Sequence, residues 1–228
     1  MKNRILLSIS VILLVLLFWQ SMPSDKAKVI FCDVGQGDGA VFIKGNFQIV
    51  IDAGPPNKKM VNCLARYIPF WDKNIEIFIT SHDDKDHIGG LVDINKSYKI
   101  DHLYNYKNIN NNESIKVNNI YFDVLSSTEE ALIGILRYTD KNILFMGDAT
   151  KDVEIEVNEE VDILKVGHHG SDTSTGELLL NSIKTKLAII SVGRNNQYGH
   201  PKQVVLDRLN KYGIEIKRTD LEGDIVIE

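Results

Sequence analysis

Along most of this chain apolar and polar positions come in short alternating blocks, but the first block is apolar throughout. Between Ile5 and Trp19 only Ser8 and Ser10 interrupt it, and carried on to Met22 it counts 18 residues. At about 1.5 Å of helical rise per residue, that is about 27 Å, close to the ~30 Å hydrocarbon thickness of a bilayer. Lys2 and Arg4 precede the run. Residues 1–24 are therefore expected to form a single-pass membrane helix with its positive end in the cytoplasm and the rest of the chain outside. Gln20-Ser21-Met22-Pro23-Ser24 matches a cleavage site poorly, so an uncleaved anchor is expected, with a secreted product as the alternative if the segment is cut.

Residues 25–228 read as one α/β domain without repeats. Short apolar or alternating runs predict strands at 28–34, 40–44, 47–52, 75–80, 98–104, 115–125, 132–138, 142–146, 161–166, 186–192, 213–217 and 224–228. Helical spacing of Met60, Val61, Leu64 and Ile68 predicts a helix over 58–68. Further helices fit after Gly89-Gly90 and near 151–157, 176–183 and 201–211. The Asn-rich stretch 105–114 reads as a surface loop. This many strand pairs with interposed helices implies sheets packed together and covered by helices.

Composition narrows the function classes. At 43% hydrophobic and 25% charged residues, the chain is in the globular range. Its net charge of −5, from 26 Lys+Arg against 31 Asp+Glu, argues against a broad basic face for gripping nucleic acid. Cys32 and Cys63 are too few for a disulfide framework or a thiolate zinc site. They read as two small buried hydrophobes, with a single disulfide as the alternative.

The candidate chemistry lies in loops that follow strands. Ser81-His82-Asp83-Asp84-Lys85-Asp86-His87-Ile88-Gly89-Gly90 holds two imidazoles and three carboxylates within six positions. Three carboxylates this close repel one another, and a divalent cation relieves the conflict. The mixed N/O donors suit zinc, manganese or iron. Met146-Gly147-Asp148 delivers a carboxylate at a strand's exit, and Gly167-His168-His169-Gly170-Ser171 delivers two histidines in the same way. The segment 191–201 (SVGRNNQYGHP) is rich in hydrogen-bond donors and includes Asn196 and His200. No Ser/His/Asp or Cys/His nucleophile arrangement is evident.

Together with FCDVGQGD (31–38), IDAG (51–54) and RTDLEGDIVI (218–227), these segments resemble the metallo-β-lactamase superfamily. More narrowly they resemble the hydrolase domain of ComEC-type DNA-uptake proteins. The resemblance implies a four-layer αββα sandwich, here preceded by the membrane helix, with a metal site where strand-end loops converge. It implies two divalent ions, Zn²⁺ or Mn²⁺, or a single one. His82 and Asp84 would hold the first ion, Asp86 and His87 the second, and Asp148 would bridge them. The His168/His169 pair would add a second-site ligand, with His168 preferred. Asp52 and His169 would support the ligands, Asp33 and Asp38 would be structural or substrate-loop residues near the site, and Ser171, Asn196 and His200 would lie around the substrate. Asp86 would also shuttle a proton.

One departure stands out. The superfamily's further first-site histidine, between the signature and the bridging Asp, has no counterpart here. His102 comes too early, and Ser126-Ser127-Thr128-Glu129-Glu130 stands where ComEC-type domains carry an Asn/Ser-rich stretch. The first site is therefore expected to be weak, to use Glu130, or to fill when substrate arrives. The activity implied is hydrolysis of phosphodiesters, single-stranded DNA among them, by a metal-bound hydroxide. Another ester, a lactone or a β-lactam is the alternative substrate. A non-catalytic accessory protein with a degenerate site is the alternative class.

Overall fold

The computed structural model describes residues 24–228 together with Ile9, Val11 and Ile12. The expected membrane helix thus lies almost wholly outside the described residues. Among those described, no helix is long and apolar enough to cross a membrane.

Two sheets carry the domain. The first holds β1 (Lys28–Phe31), β2 (Ala40–Lys44), β3 (Phe47–Ile51), β4 (Asn74–Ile79), β5 (Lys99–Tyr104) and β13 (Ile225–Ile227), in the order β13-β1-β2-β3-β4-β5. The second holds β6 (Ser114–Val117), β7 (Ile120–Ser127), β8 (Leu132–Tyr138), β9 (Lys141–Phe145), β10 (Ile163–Lys165), β11 (Leu187–Ile190) and β12 (Glu215–Arg218), in the order β12-β11-β10-β9-β8-β7-β6. The helices are α1 (Lys59–Tyr67), α2 (Lys85–Ile88), α3 (Leu91–Ser97), α4 (Glu177–Ser182), α5 (Gln203–Lys211) and α6 (Thr219–Glu222).

Three apolar clusters fill the gaps between four layers. Phe31, Phe42, Ile49 and Ile77 of the first sheet meet Phe122, Leu136, Phe145 and Ile189 of the second. Ring contacts such as Phe31–Phe145, 5.9 Å between centroids, lock that interface. Outside the first sheet, Ile30, Val41, Val50 and Phe78 pack on Met60 and Leu64 of α1 and Ile94 of α3. Outside the second, Ile135, Leu144 and Leu164 pack on Leu179 of α4 and Val205 and Leu209 of α5. Because both faces of each sheet are covered, the strands read as continuous apolar runs rather than strict alternations.

Two expectations change. The run 115–125 is a hairpin, β6–β7, turning at Asn118-Asn119 rather than one long strand. Residues 151–157 form no helix. Val153, Ile155 and Val157 face the second sheet's outer cluster in alternation, a spacing of two that suits extended chain. Glu154 points the other way and accepts from the backbone N–H groups of Thr175 and Gly176.

Cys32 and Cys63 are buried, but they are bonded to each other, tying the exit of β1 to α1 across 31 residues. Loop-closure entropy assigns such a bridge about 3–4 kcal/mol. Cys63→Ser is expected to lower the unfolding free energy by that amount, with a steeper urea transition because the unfolded chain is freed to expand.

At one end of the domain, Ser24 O accepts from Gly45 N in the β2–β3 turn. The exits of β3, β4, β9, β10 and β11 gather at the other end, where parallel pairing of β3 with β4 and of β9, β10 and β11 aligns them.

Candidate metal centre

Each strand exit delivers one part of a buried cluster. β3 ends at Asp52, whose backbone is left-handed (φ 59°). β4 runs into Ser81 and His82; α2 then presents Asp86 and His87. β9 leads through Gly147 to Asp148, and β10 leads into a 3₁₀ turn, Gly167–Gly170, that carries His168 and His169. The β1–β2 loop adds Asp38, held against the signature by an Asp38 N–H···O=C Asp86 bond of 3.1 Å. Gly37 makes that approach feasible, because a Cβ there would stand 2.3 Å from the Asp86 carbonyl oxygen.

Asp148 lies at the centre. Its Oδ1 is 3.2 Å from His87 Nε2 and 3.7 Å from His169 Nε2, and its Oδ2 is 3.6 Å from His82 Nε2. Asp86 Oδ2 is 3.2 Å from His169 Nε2, and Asp84 Oδ2 is 3.6 Å from His82 Nε2. Ligand atoms about 2.0–2.2 Å from a tetrahedral ion stand about 3.4 Å apart, so these separations match the edges of such a site. His82 Nε2, His87 Nε2 and Asp148 Oδ1 are buried without an aligned hydrogen-bond partner among the described residues. Buried polar atoms left in that condition are costly unless something else coordinates them. The residues present therefore fit a divalent ion.

The opposite ring nitrogens are occupied. His87 Nδ1 lies 2.9 Å from Asp52 Oδ2 and 3.0 Å from Ser81 Oγ. Asp52 also accepts from Ser81 N–H (2.7 Å) and Ser81 Oγ (2.8 Å), which fixes it firmly. His169 Nδ1 lies 3.0 Å from the Ser191 carbonyl and 3.1 Å from Asp38 Oδ1. Such partners set which nitrogen faces a metal and raise its basicity.

Charge follows from these contacts. Burial alone would lower the pKa of His87, but Asp52 and Asp148 outweigh it and raise it well above the usual value. Burial also opposes protonation of His169, yet Asp38, Asp86 and Asp148 bring it to about 9. Asp148 and Asp38 are held well below the carboxylate range, since His87 and Lys165 respectively overcome the cost of burial. Burial and the neighbouring His87 push His82 down. Burial, with His168 and His169 nearby, brings His200 down to about 4, so it is neutral at pH 7.

A pH dependence follows for the metal-free protein. His169 is raised in the folded state, so its contribution is full below the unfolded value of about 6.5 and disappears as pH rises through about 9. In EDTA, stability is expected to fall by roughly 3 kcal/mol across that window. Thermal melts of wild type and His169→Asn, the latter flat in this term, check it.

The structure gathers His82, Asp86, His87, Asp148, His169, Asp38 and Asp52, with Asp84 at the exposed edge. The preference between the paired histidines is reversed, because His169 is buried against Asp86 whereas the His168 side chain is 37% exposed. Three further residues brace their loops. Asp33 accepts from Gly35 N–H and pairs with Lys59, and Ser171 bonds Thr173 within its turn. Asn196 braces its own loop by bonding Gly193 O and His200 O. His200 stands at the rim, its ring 5.9 Å from that of His168. His102 is exposed on edge strand β5, and exposed Glu130 joins none of the compact ligand groups.

Sequence reasoning missed Lys165 and the role of Ser81. Lys165 is 2% exposed, and its Nζ donates to Asp38 Oδ2 at 2.7 Å and to the Val166 carbonyl at 2.9 Å. The signal in the chain was a charge set among the apolar residues of 163–166.

No protein-family model matches the chain. Over 89% of its length it superposes on the metallo-β-lactamase-fold protein YhfI from Bacillus subtilis, with a TM-score of 0.60, 12% identity and 99% of that chain covered. The chain has the metallo-β-lactamase fold. A diphosphatase of the PhnP family has the same fold, with a TM-score of 0.56 and 15% identity, covering 89% of this chain and 98% of that one. ComE operon protein 3 of Bacillus subtilis is 30% identical over 92% of this chain and 34% of its own length. Competence protein ComA of Neisseria gonorrhoeae is 26% identical over 90% of this chain and 32% of its own. The chain thus spans about a third of the length of the curated relatives it matches.

Proposed function

We propose that the chain is a metal-dependent phosphodiesterase, anchored in the membrane by residues 1–24, whose hydrolase domain lies outside the cytoplasm and acts on single-stranded DNA. The observation that carries the hydrolase reading is the convergence of the buried atoms His82 Nε2, His87 Nε2 and Asp148 Oδ1, none with an aligned hydrogen bond among the described residues, at ligand spacing. In this reading Asp148 bridges two sets of ligands, Asp84 with His82 and Asp86 with His87, and His169 joins the second. A bound divalent ion supplies Lewis acidity and brings the pKa of water towards ~7. The protein's own part is orientation and proton management. Asp52 and Ser81 fix His87, Asp38 fixes His169, and Asp86 is the carboxylate placed to take up and release a proton. Neutral His200 at the rim is placed to donate to a developing oxyanion.

Placement outside the cytoplasm draws support from the Cys32–Cys63 bond, since disulfides persist in oxidising compartments. The name of one relative, Competence protein ComA, supports a role with DNA. The decisive experiment loads the purified full chain with Mn²⁺ or Zn²⁺ and supplies single-stranded DNA and a chromogenic phosphodiester, with His87→Ala alongside. Metal-dependent cleavage of both, lost in His87→Ala, is expected. Turnover of the small ester with intact DNA would overturn the DNA assignment. Inactivity of a fully metallated protein on both would overturn the phosphodiesterase reading.

A further inference from the structure

Four imidazoles surround Asp148, and all four present Nε2 to it. His82, His87, His168 and His169 stand 3.6, 3.2, 3.8 and 3.7 Å from its carboxylate oxygens. The oxygens divide them. Oδ1 faces His87 and His169, and Oδ2 faces His82 and His168. Asp86 sits beside the first pair, and Asp84 lies 3.6 Å from His82 Nε2 in the second.

His168 also shares the backing that marks the other three. Its Nδ1 lies 3.4 Å from Thr173 Oγ1, which bonds Ser171 Oγ at 2.9 Å. His82 Nδ1 has Ser81 Oγ at 3.1 Å, His87 has Asp52, and His169 has Asp38. In each case the partner at Nδ1 leaves Nε2 turned to Asp148.

The backbone explains how adjacent residues serve opposite sides. His168 (φ 46°, ψ 44°) and His169 (φ 53°, ψ 23°) are both left-handed, a conformation unfavourable for a residue with a Cβ. Successive residues on a helical turn project about 100° apart. The two rings accordingly splay, 6.2 Å between centroids and 73° between planes. Two strained residues in succession persist where the surrounding structure holds them to a purpose.

We propose that His168 completes the first metal set, with His82, Asp84 and Asp148 Oδ2, so that the paired histidines divide between two ions. His168 thereby takes the place of the first-site histidine that no residue between the signature and Asp148 supplies. Each ion then receives two imidazoles, one carboxylate and an oxygen of Asp148. His168, 37% exposed, and Asp84, 75% exposed, form the open edge of this set, outside the compact ligand groups. This assignment rests on the two-ion reading above.

Metal content of the full chain, equilibrated with Zn²⁺ or Mn²⁺ and freed of excess by gel filtration, tests it without reference to activity. Wild type is expected to hold two ions per chain. His168→Asn, which tolerates the left-handed backbone but is too short to reach, is expected to hold one. Asp84→Asn should lose the same ion, so the double variant also holds one. Combining His168→Asn with His169→Asn should leave none. Two ions retained in His168→Asn would overturn the assignment and leave the metal reading intact. A double His168→Asn/Asp84→Asn variant that holds none would place His168 with the other ion, which also overturns it. Wild type without bound metal would fail the underlying reading itself.

Discussion

Asp148→Ala is expected to remove both ions and reduce phosphodiester hydrolysis to background, the largest functional effect of any single change here. The reason is position. Asp148 is the one carboxylate within 3.8 Å of all four imidazole Nε2 atoms, so no neighbour can replace it. Removing it also leaves the raised protonation of His87 without one of its two supports. Elemental analysis and turnover, measured on the same preparation, check the result, with circular dichroism to show that the fold is kept. Asp52→Asn makes a graded comparison. It keeps every ligand but withdraws the charge behind His87 Nδ1, and losses of such partners cost about 10–100-fold in affinity or activity. If Asp52→Asn proved as damaging as Asp148→Ala, the central role of Asp148 would be lost.

Lys165→Met is expected to cost about 3 kcal/mol of stability, comparable to loss of the Cys32–Cys63 bond. The Lys165–Asp38 pair is almost fully buried, and removing one partner of a buried pair strands the other charge. His169 stays beside Asp38 and moderates the loss, which places it at the low end of the usual 3–5 kcal/mol range. Changing both residues, Lys165→Met with Asp38→Leu, should recover much of the stability, because an apolar pair of similar volume is often as good. It should not recover the second ion, since His169 then lacks the carboxylate at Nδ1. Urea unfolding together with metal content separates the two effects. Recovery of both would make Asp38 a structural counter-ion without influence on the centre.

Much of this was legible in the chain itself. The strand runs fixed the positions of twelve of the thirteen strands to within a few residues, since both faces of each sheet are buried and few polar positions interrupt them. His82, Asp86, His87 and Asp148 stood out because carboxylates and imidazoles crowd at strand exits. The misses share a cause, in that they depend on direction rather than composition. Nothing in Gly-His-His-Gly says which imidazole turns inward, because left-handed backbone at both histidines decides it. Asn196, Ser171 and Asp33 have the chemistry of substrate contacts, but their side chains satisfy the backbone of their own turns. Cys32 and Cys63 lie 31 residues apart, and only the packing of α1 on the first sheet brings them together.

The contact between Ser24 and the β2–β3 turn bears on how the substrate approaches. From Gly45 to Asp52 the chain runs along β3, roughly 20 Å at about 3.3 Å per residue. In the anchored arrangement proposed above, the tether would enter the domain at this turn, which would put the catalytic end that far from the point of attachment. The negative potential of an anionic leaflet decays over a Debye length, about 8 Å at physiological salt. A polyanion reaching Asp148 from above would therefore escape the repulsion of the surface to which the protein is tethered. Lengthening the tether should leave turnover unchanged, whereas shortening the domain's stand-off should make it sensitive to ionic strength.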